Sequence, residues 1–356
     1  MDFIKSALRS AAADYAQEMG VPRAVFDHIF PLDDENGNEY DPPTPPNEIH
    51  VPNSQQQHYG PTVYGEDGEE KQPLHYKLSQ ATGKRKAVLV GCNYPGSIAP
   101  LEGCGQSFFN VIFYPQLPLD YFGYEETNIR VLTDSESSHG EIGEALSTRE
   151  NIVGYIRWLV EDAEPDDSLF FHSTMVSNQK DLDGDEYDGM DESICPTHYE
   201  TAGVLVDDEL HDLLVKPLPE GAGLTALFDS CHSGSVLDLP WTYETSGAIK
   251  EPDDLQGEAE AEAVAIDAHQ KRFKWSPADV ISLSGCRDSQ TSADAQFGGL
   301  PSGALSYAFI RAFAKFPQMT YAQLLKVIRN ELRGKFDQRP QLSSSHPIDM
   351  DLLFIQ

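Results

Sequence analysis

Short apolar runs that alternate with amphipathic stretches constrain the fold of this chain more than any other feature. The runs lie at residues 87–90, 129–132, 169–171, 224–228 and 280–283. Runs of this kind, without polar alternation, are typical of strands that are buried on both faces of a parallel sheet. The amphipathic stretches lie near residues 148–159, 207–215, 304–316 and 321–336. This alternation predicts an α/β fold, a mostly parallel sheet flanked by helices.

Composition narrows the class of protein further. The chain has 356 residues, of which 40% are apolar, enough for one large core. We see no signal peptide and no apolar run long enough to span a bilayer. The five cysteines form no CxxC pair, so we expect reduced thiols and a location in the cytoplasm or nucleus. A net charge of −33 argues against a nucleic-acid partner. We expect no membrane partner either, and a monomer.

The chain divides into an arm and a domain. Residues 41–71 are rich in Pro, Gln and acidic residues and poor in aliphatic ones. Such a composition cannot offset the entropy of ordering, so residues 1–83 are predicted to form a disordered, Pro/Gln-rich arm. Residues 84–356 are predicted to form a single domain, which contains an acidic linker near 247–274.

One cysteine follows a buried strand directly. The apolar stretch 223–228 runs into Asp229-Ser230-Cys231-His232-Ser233-Gly234. Functional groups in parallel sheets lie at the carboxyl ends of the strands. Backbone N–H groups in such a turn can lower the pKa of a thiol and hold an oxyanion. Cys231 is therefore a candidate nucleophile.

This loop resembles the cysteine motif of type I metacaspases, which are caspase-like proteases. Further segments resemble the same family in the same order; they lie at 76–91, 181–186, 206–209, 237–240, 276–280, 288–294 and 339–342. The resemblance implies a caspase-like fold and a calcium-activated cysteine endopeptidase that cleaves polypeptides after Arg or Lys. It also implies a link to regulated cell death or proteostasis, and an arm that acts as a prodomain.

By the same resemblance, Cys231 is the nucleophile, and Asp229 and Cys104 bind the substrate. The family's first substrate carboxylate, however, falls on Ser107 in this chain. Two carboxylates hold a cationic side chain more firmly than one, so this departure weakens recognition of Arg or Lys.

The catalytic histidine of the family is missing. In metacaspases it lies in a Tyr-Ser-Gly-His-Gly-Gly motif after the third strand, but here the strand is followed by Ser173-Thr174-Met175-Val176-Ser177-Asn178. Val176 takes the histidine position and cannot transfer a proton. No other histidine has motif support as a replacement; the candidates are His172, His198, His211, His232 and His346.

Two explanations of this loss stay open at the level of sequence. The first is a real loss of activity, which makes the chain a pseudoprotease that acts as a binding or regulatory protein. The second is an error in reading the gene, because His-Gly codons read one base out of frame give Met-Val, as in Met175-Val176.

Acidic residues cluster between Asp181 and Asp212, where twelve Asp or Glu occur and no Lys or Arg. Hard carboxylate oxygens suit Ca²⁺. The glycine of Asp181-Leu182-Asp183-Gly184 stands at the wrong position for an EF-hand loop, and no Cys/His spacing indicates zinc. The resemblance assigns the calcium ligands, and these are Asp191, Asp207, Asp208 and Asp238.

Overall fold

A computed structural model describes residues 49–64, 70–92, 94, 122–134, 144–174, 177–180, 190–229, 236–243, 274–285, 294–297, 300–316, 318–333 and 340–356. Fifteen strands occur in these residues: β1 His58–Tyr64, β2 Glu70–Tyr76, β3 Arg85–Gly91, β4 Ile129–Thr133, β5 Glu144–Leu146, β6 Ser168–Ser173, β7 Ser177–Lys180, β8 Met190–Ile194, β9 Leu205–Val206, β10 Gly223–Phe228, β11 Trp241–Tyr243, β12 Asp279–Ser284, β13 Asp294–Phe297, β14 Leu300–Gly303 and β15 Gln341–Ser344. The α-helices of the same residues are α1 Arg149–Val160, α2 Tyr199–Ala202, α3 Asp207–Leu214, α4 Ala304–Lys315 and α5 Tyr321–Leu332, and one 3₁₀ helix spans Glu126–Asn128.

The main sheet of the described residues has eight strands in the order β11-β15-β12-β10-β6-β3-β4-β5. From β12 to β5 every neighbouring pair is parallel. Strand β15 is antiparallel to both β12 and β11. The predicted mostly parallel sheet is therefore confirmed, and all five apolar runs form strands within it. The sequence did not predict β11 and β15, which form the antiparallel edge.

Each central strand is buried on both faces, which explains its continuous apolar character. In β3, Ala87 and Leu89 face one core, whereas Val88 and Val90 face the other. The first core lies under α4 and α5, and the second lies under α1 and α3. Because a parallel sheet needs helices on both faces, these two cores follow directly from the alternation of runs and amphipathic stretches.

The four predicted helices form, and two begin at threonine caps. The Thr148 hydroxyl accepts a hydrogen bond from the Asn151 N–H at 3.3 Å and opens α1. Thr320 and Gln323 form a reciprocal capping box at the start of α5. Helix α5 ends at Leu332, earlier than the amphipathic stretch suggested.

The predicted boundary at residue 84 is wrong for the segment just before it. Strands β1 and β2 pair in an antiparallel hairpin within the predicted arm. Leu74, Tyr76 and Leu78 are buried in the core that α4 and α5 cover. Composition misled the prediction because these few apolar residues are placed at positions where the domain buries them. Residues 1–48 of the arm and most of the acidic linker lie outside the described residues.

In the part of the chain that the structure describes, no helix combines the length and the apolar character needed to cross a membrane.

Candidate functional site

Strands β6 and β10 are neighbours, and both end at the same edge of the sheet. The Asp229 N–H donates to the Ser173 carbonyl at 2.9 Å, and the Gly285 N–H donates to the Phe228 carbonyl at 2.9 Å. These bonds fix the chain immediately before the cysteine loop between the ends of β6 and β12. The predicted nucleophile follows two residues later, and the missing-histidine position follows Ser173 by three residues. Parallel strand order therefore brings the strand ends that precede these two motifs to one edge of the sheet.

Several predicted site residues lie outside the described residues. They are Cys231, Cys104, Ser107 and Val176; Asp191 is described only in its backbone, as part of β8. Their roles stay predictions.

Asp229 is only 5% exposed and binds the start of helix α4. Its carboxylate accepts hydrogen bonds from the backbone N–H groups of Leu305 at 3.1 Å and Ser306 at 2.6 Å. The first N–H groups of a helix lack partners within the helix and carry its positive dipole end. Asp229 therefore acts as an N-terminal cap from another part of the chain, which stabilises the buried negative charge.

Gly303 makes this capping geometry possible. It precedes α4 and has no side chain to cap the helix itself. A Cβ atom at this position would come within 2.5 Å of the Asp229 Cγ atom, and closer still to Oδ2. Any side chain at position 303 would consequently displace the carboxylate from the helix end.

The histidine nearest to the missing position is part of the core. His172 is fully buried on β6, and its Nε2 atom lies 2.9 Å from the Ser306 hydroxyl. Desolvation by burial lowers the pKa of His172 to about 3. Desolvation also lowers the pKa of His211 to about 4. His346 is likewise fully buried. Imidazoles enclosed in the core cannot reach a substrate to exchange protons with it, so these three do not replace the lost base.

Two of the predicted calcium ligands converge on the ammonium group of Lys274. The Lys274 Nζ atom lies 2.7 Å from Asp238 Oδ2 and also contacts Asp208 Oδ1. The side chains of Lys274 and Asp238 are 7% and 2% exposed, whereas that of Asp208 is 49% exposed. Burial alone would lower the pKa of Lys274, but the charges of Asp238 and Asp208 outweigh it and raise that pKa above its ordinary value. The ammonium is therefore charged.

A third predicted ligand, Asp207, has a different role in this arrangement. It is buried at the start of α3, and its carboxylate accepts the Glu192 N–H at 2.6 Å and the Asp208 N–H at 2.9 Å. These bonds tie β8 to α3 and orient the backbone that carries Asp208. Asp207 thus acts on the cation position through Asp208 rather than by reaching the ammonium.

The backbone around Asp238 is unusual. Asp238 has φ of 47°, the left-handed region that is uncommon for residues other than glycine. The fold holds this conformation where the carboxylate meets Lys274.

The donor set at this position fits a hard cation in part. Two carboxylates converge on one positive charge, which marks a position where a cation is stabilised by oxygen ligands. Within the described ranges, no group of three or more His, Cys, Asp or Glu side chains is arranged to hold a metal ion. Calcium binding therefore requires ligands beyond Asp208 and Asp238 and a change in the position of Lys274.

Two features of the site escaped sequence reasoning. Lys274 is the last residue of the predicted acidic linker near 247–274. A long segment separates it from Asp238 in the chain, so the sequence did not reveal the ion pair between the two residues. Ser306, which links Asp229 through its N–H to His172 through its hydroxyl, lies in an ordinary helix start. A lysine two residues before the Ser276-Pro277 segment was the signal that the sequence offered.

Comparison with known proteins places this site in a family. Residues 85–240 match the family described as "Metacaspase, peptidase C14 domain". Metacaspase-1 of Cryptococcus neoformans is 46% identical over 337 residues, which cover 85% of this chain and 71% of that protein. Metacaspase-1 of Schizosaccharomyces pombe is 43% identical, with 86% and 76% covered. Metacaspase-1 of Saccharomyces cerevisiae is also 43% identical, with 87% and 76% covered.

The solved crystal structure of a Geobacter sulfurreducens protein shares the fold. It is 20% identical, has a TM-score of 0.50, and the match covers 77% of this chain and 98% of that one.

The sheet, its two flanking helix layers and the strand that leads into Cys231 define a caspase-like α/β protein of the cysteine-protease class. The chain belongs to the metacaspase family, whose members are cysteine endopeptidases that act on polypeptides.

Proposed function

We propose that this chain is built as a calcium-activated cysteine endopeptidase for substrates with Arg or Lys before the cleaved bond, and that its proton-transfer step is missing. Cys231 is the nucleophile. The observation that carries the proposal is Asp229, a buried carboxylate held two residues before Cys231 at the carboxyl edge of the sheet. A fixed negative charge next to the nucleophile favours a cationic substrate side chain.

The chemistry requires two proton transfers. The Cys231 thiol must lose its proton before its sulfur attacks the scissile carbonyl carbon, and the departing amine must gain a proton as the C–N bond breaks. Backbone N–H groups near Cys231 would stabilise the oxyanion between these steps. Val176 can perform neither proton transfer, and the buried His172, His211 and His346 do not replace it.

Calcium, when bound, would neutralise part of the acidic charge between Asp181 and Asp212. Asp208 and Asp238 would hold it together with Asp191, and Asp207 would keep Asp208 in position. We extend the proposal to a role in regulated cell death or proteostasis, which the family relationship supports.

A second candidate function is a pseudoprotease that binds polypeptides without cleaving them. Val176 favours it, because a chain with an intact Asp229 and Cys231 but no base keeps the means to bind and loses the means to cleave. The two candidates share the substrate class and differ in turnover.

Hydrolysis of a fluorogenic Arg peptide, with calcium or with chelator, separates the two candidates. We expect little hydrolysis by the natural chain, because general acid–base catalysis is worth about 10² to 10⁴-fold. The triple variant Met175→Gly, Val176→His, Ser177→Gly should gain calcium-dependent activity, and it leaves the buried Ser173 and Thr174 unchanged. Cys231→Ala in either background is the control.

Two outcomes would contradict the proposal. Hydrolysis by the natural chain that Cys231→Ala abolishes would show that another group serves as the base. A triple variant that folds, binds calcium and stays inactive would favour the pseudoprotease.

A further inference from the structure

We propose that Lys274 is a tethered counter-cation that occupies the position between Asp208 and Asp238 in the calcium-free protein, and that calcium binds there by displacing it. The inference rests on the calcium site of the proposed function, and it concerns the regulation of that site.

Calcium and the Lys274 ammonium exclude each other at this position. The Lys274 ammonium contacts Asp208 Oδ1 and lies 2.7 Å from Asp238 Oδ2. Calcium needs carboxylate oxygens at about 2.3 to 2.6 Å and six to eight ligands in all. A calcium ion and an ammonium drawing on the same two oxygens would be held a few ångströms apart, where the repulsion between their charges in a partly buried site is strong. Calcium and the ammonium are therefore alternatives at this position.

The buried Asp238 carboxylate explains why the protein carries a cation of its own at this position. Asp238 is buried, and an ionised carboxylate without a positive partner is costly in such a place. Asp207, Asp208 and Glu209 follow one another in the first turn of α3, which adds further negative charge nearby. A protein that must fold before it meets calcium needs a replacement cation, and Lys274 supplies it.

Backbone hydrogen bonds hold the chain at Lys274 in place, so its side chain is tethered beside the carboxylates. The Lys274 carbonyl accepts a hydrogen bond from His211 Nε2 at 2.9 Å, and the Ser276 N–H donates to the Ser345 carbonyl at 3.2 Å. These bonds hold the backbone of residues 274–276 independently of the ammonium. The side chain can leave while the backbone stays, because its four-carbon stem is flexible. Because the Lys274 ammonium is attached to the chain, it competes with calcium for the two carboxylates at a high effective concentration. This competition lowers the apparent affinity of the protein for calcium.

A site at which calcium must displace a lysine responds to mutation differently from a simple metal site. Removing a calcium ligand weakens calcium binding, whereas removing a competing cation strengthens it. Lys274→Met removes the charge and keeps an unbranched side chain of similar length. Lys274→Arg keeps a cation in place. The matched control is Lys216→Met, because Lys216 pairs with Asp212 of α3 and is 56% exposed.

The test combines amine labelling with calorimetry on the full chain. Lysines are acetylated with an activated ester in chelator, in calcium or in magnesium, and mass spectrometry follows each site. We expect calcium to raise the labelling rate of Lys274 at least tenfold and to leave Lys216 unchanged. In calorimetry, Lys274→Met should bind calcium at least tenfold more tightly than the natural chain. Lys274→Arg should stay close to the natural chain, as should Lys216→Met.

The outcomes separate this inference from the proposed function. Calcium that binds the natural chain without changing the labelling of Lys274 overturns the exchange and leaves calcium activation standing. Equal calcium affinity in the natural chain and Lys274→Met has the same meaning. Binding in Lys274→Met alone supports the exchange and overturns calcium activation of the natural chain. Absence of binding in both overturns the calcium site and the exchange together. If Lys274→Met does not fold, labelling of the natural chain decides the question.

Discussion

Two buried carboxylates, Asp229 and Asp238, are stabilised in different ways. Asp229 receives backbone N–H groups from the start of α4, whereas Asp238 receives the ammonium of Lys274. Backbone donors are fixed by the helix and cannot leave without unfolding its first turn. A side-chain ammonium can be exchanged for another cation. The comparison teaches that one negative charge belongs to the permanent frame of the site, and the other is open to regulation.

The largest expected effect on stability follows from the substitution of Asp238, the carboxylate that pairs with the exchangeable ammonium. Asp238→Ala, in chelator, should lower the free energy of unfolding by about 3 kcal/mol, because it removes the buried carboxylate that lies 2.7 Å from a buried ammonium. Asp208→Ala should cost about 1 kcal/mol or less, since its carboxylate is partly solvated. Urea unfolding of both variants measures the difference. Equal costs would show that burial does not distinguish the two carboxylates.

The next largest effect on stability is expected at Asp229, the carboxylate that backbone N–H groups hold. Asp229→Ala should lower the free energy of unfolding by about 2 kcal/mol, because two N–H groups at the start of α4 lose their acceptor in a buried place. Hydrogen exchange should accelerate at the amides of Leu305 and Ser306.

Asp229→Asn is the matched control, since it keeps one acceptor oxygen and should cost less. Gly303→Ala should imitate the loss of the cap, because its Cβ displaces the same carboxylate. Unchanged exchange at both amides in Asp229→Ala would mean that the helix does not depend on this carboxylate.

A smaller effect on stability is expected from the protonation of His172, the buried histidine that contacts the Ser306 hydroxyl. The pKa of His172 is about 3 in the folded protein, below the ordinary 6.5 that applies in the unfolded chain. The unfolded state therefore binds more protons below pH 6.5, and stability falls as the pH drops from 6.5 towards 3. His172 should account for about 1.5 kcal/mol of loss between pH 6.5 and 5. His172→Gln should flatten the pH dependence by that amount; an unaltered slope would show that His172 is not held neutral.

The smallest effect is expected at an exposed ion pair beside the exchangeable one. Asp212 of α3 pairs with Lys216, which follows the end of the helix, and both side chains are more than half exposed. Asp212→Ala should change the free energy of unfolding by less than about 0.5 kcal/mol. A cost comparable to that of Asp238→Ala would indicate that total acidic charge, rather than burial, governs stability here.

The sequence predicted the sheet well because its central strands carry their own signal. The runs at 87–90 and 224–228 are buried on both faces, so no polar positions obscure them. The hairpin of β1 and β2 was missed because residues 41–71 are rich in Pro, Gln and acidic residues, whereas Leu74 and Tyr76 are buried by the rest of the domain. Local composition cannot reveal burial that depends on the rest of the fold.

The sequence proposed residues for the candidate site but did not reveal their pairings. The family resemblance assigned Asp208 and Asp238 to one calcium site; both carboxylates contact Lys274, and their role as calcium ligands stays a prediction. Lys274 could not be assigned, because the partner of a buried charge depends on which loops the sheet brings together. The capping role of Asp229 was hidden for the same reason, since α4 begins 75 residues later in the chain.

The order of the sheet has a consequence for a chain that is cut between residues 243 and 274. Strands β12 and β15 would belong to the smaller fragment, and β10 and β11 to the larger one. In the sheet the smaller fragment's strands lie between those two, with β10 on one side and β11 on the other. The halves could not separate without breaking two ladders at once. Such a nicked protein should migrate as one particle in native gels and as two bands after denaturation, and separately produced halves should reassemble on mixing.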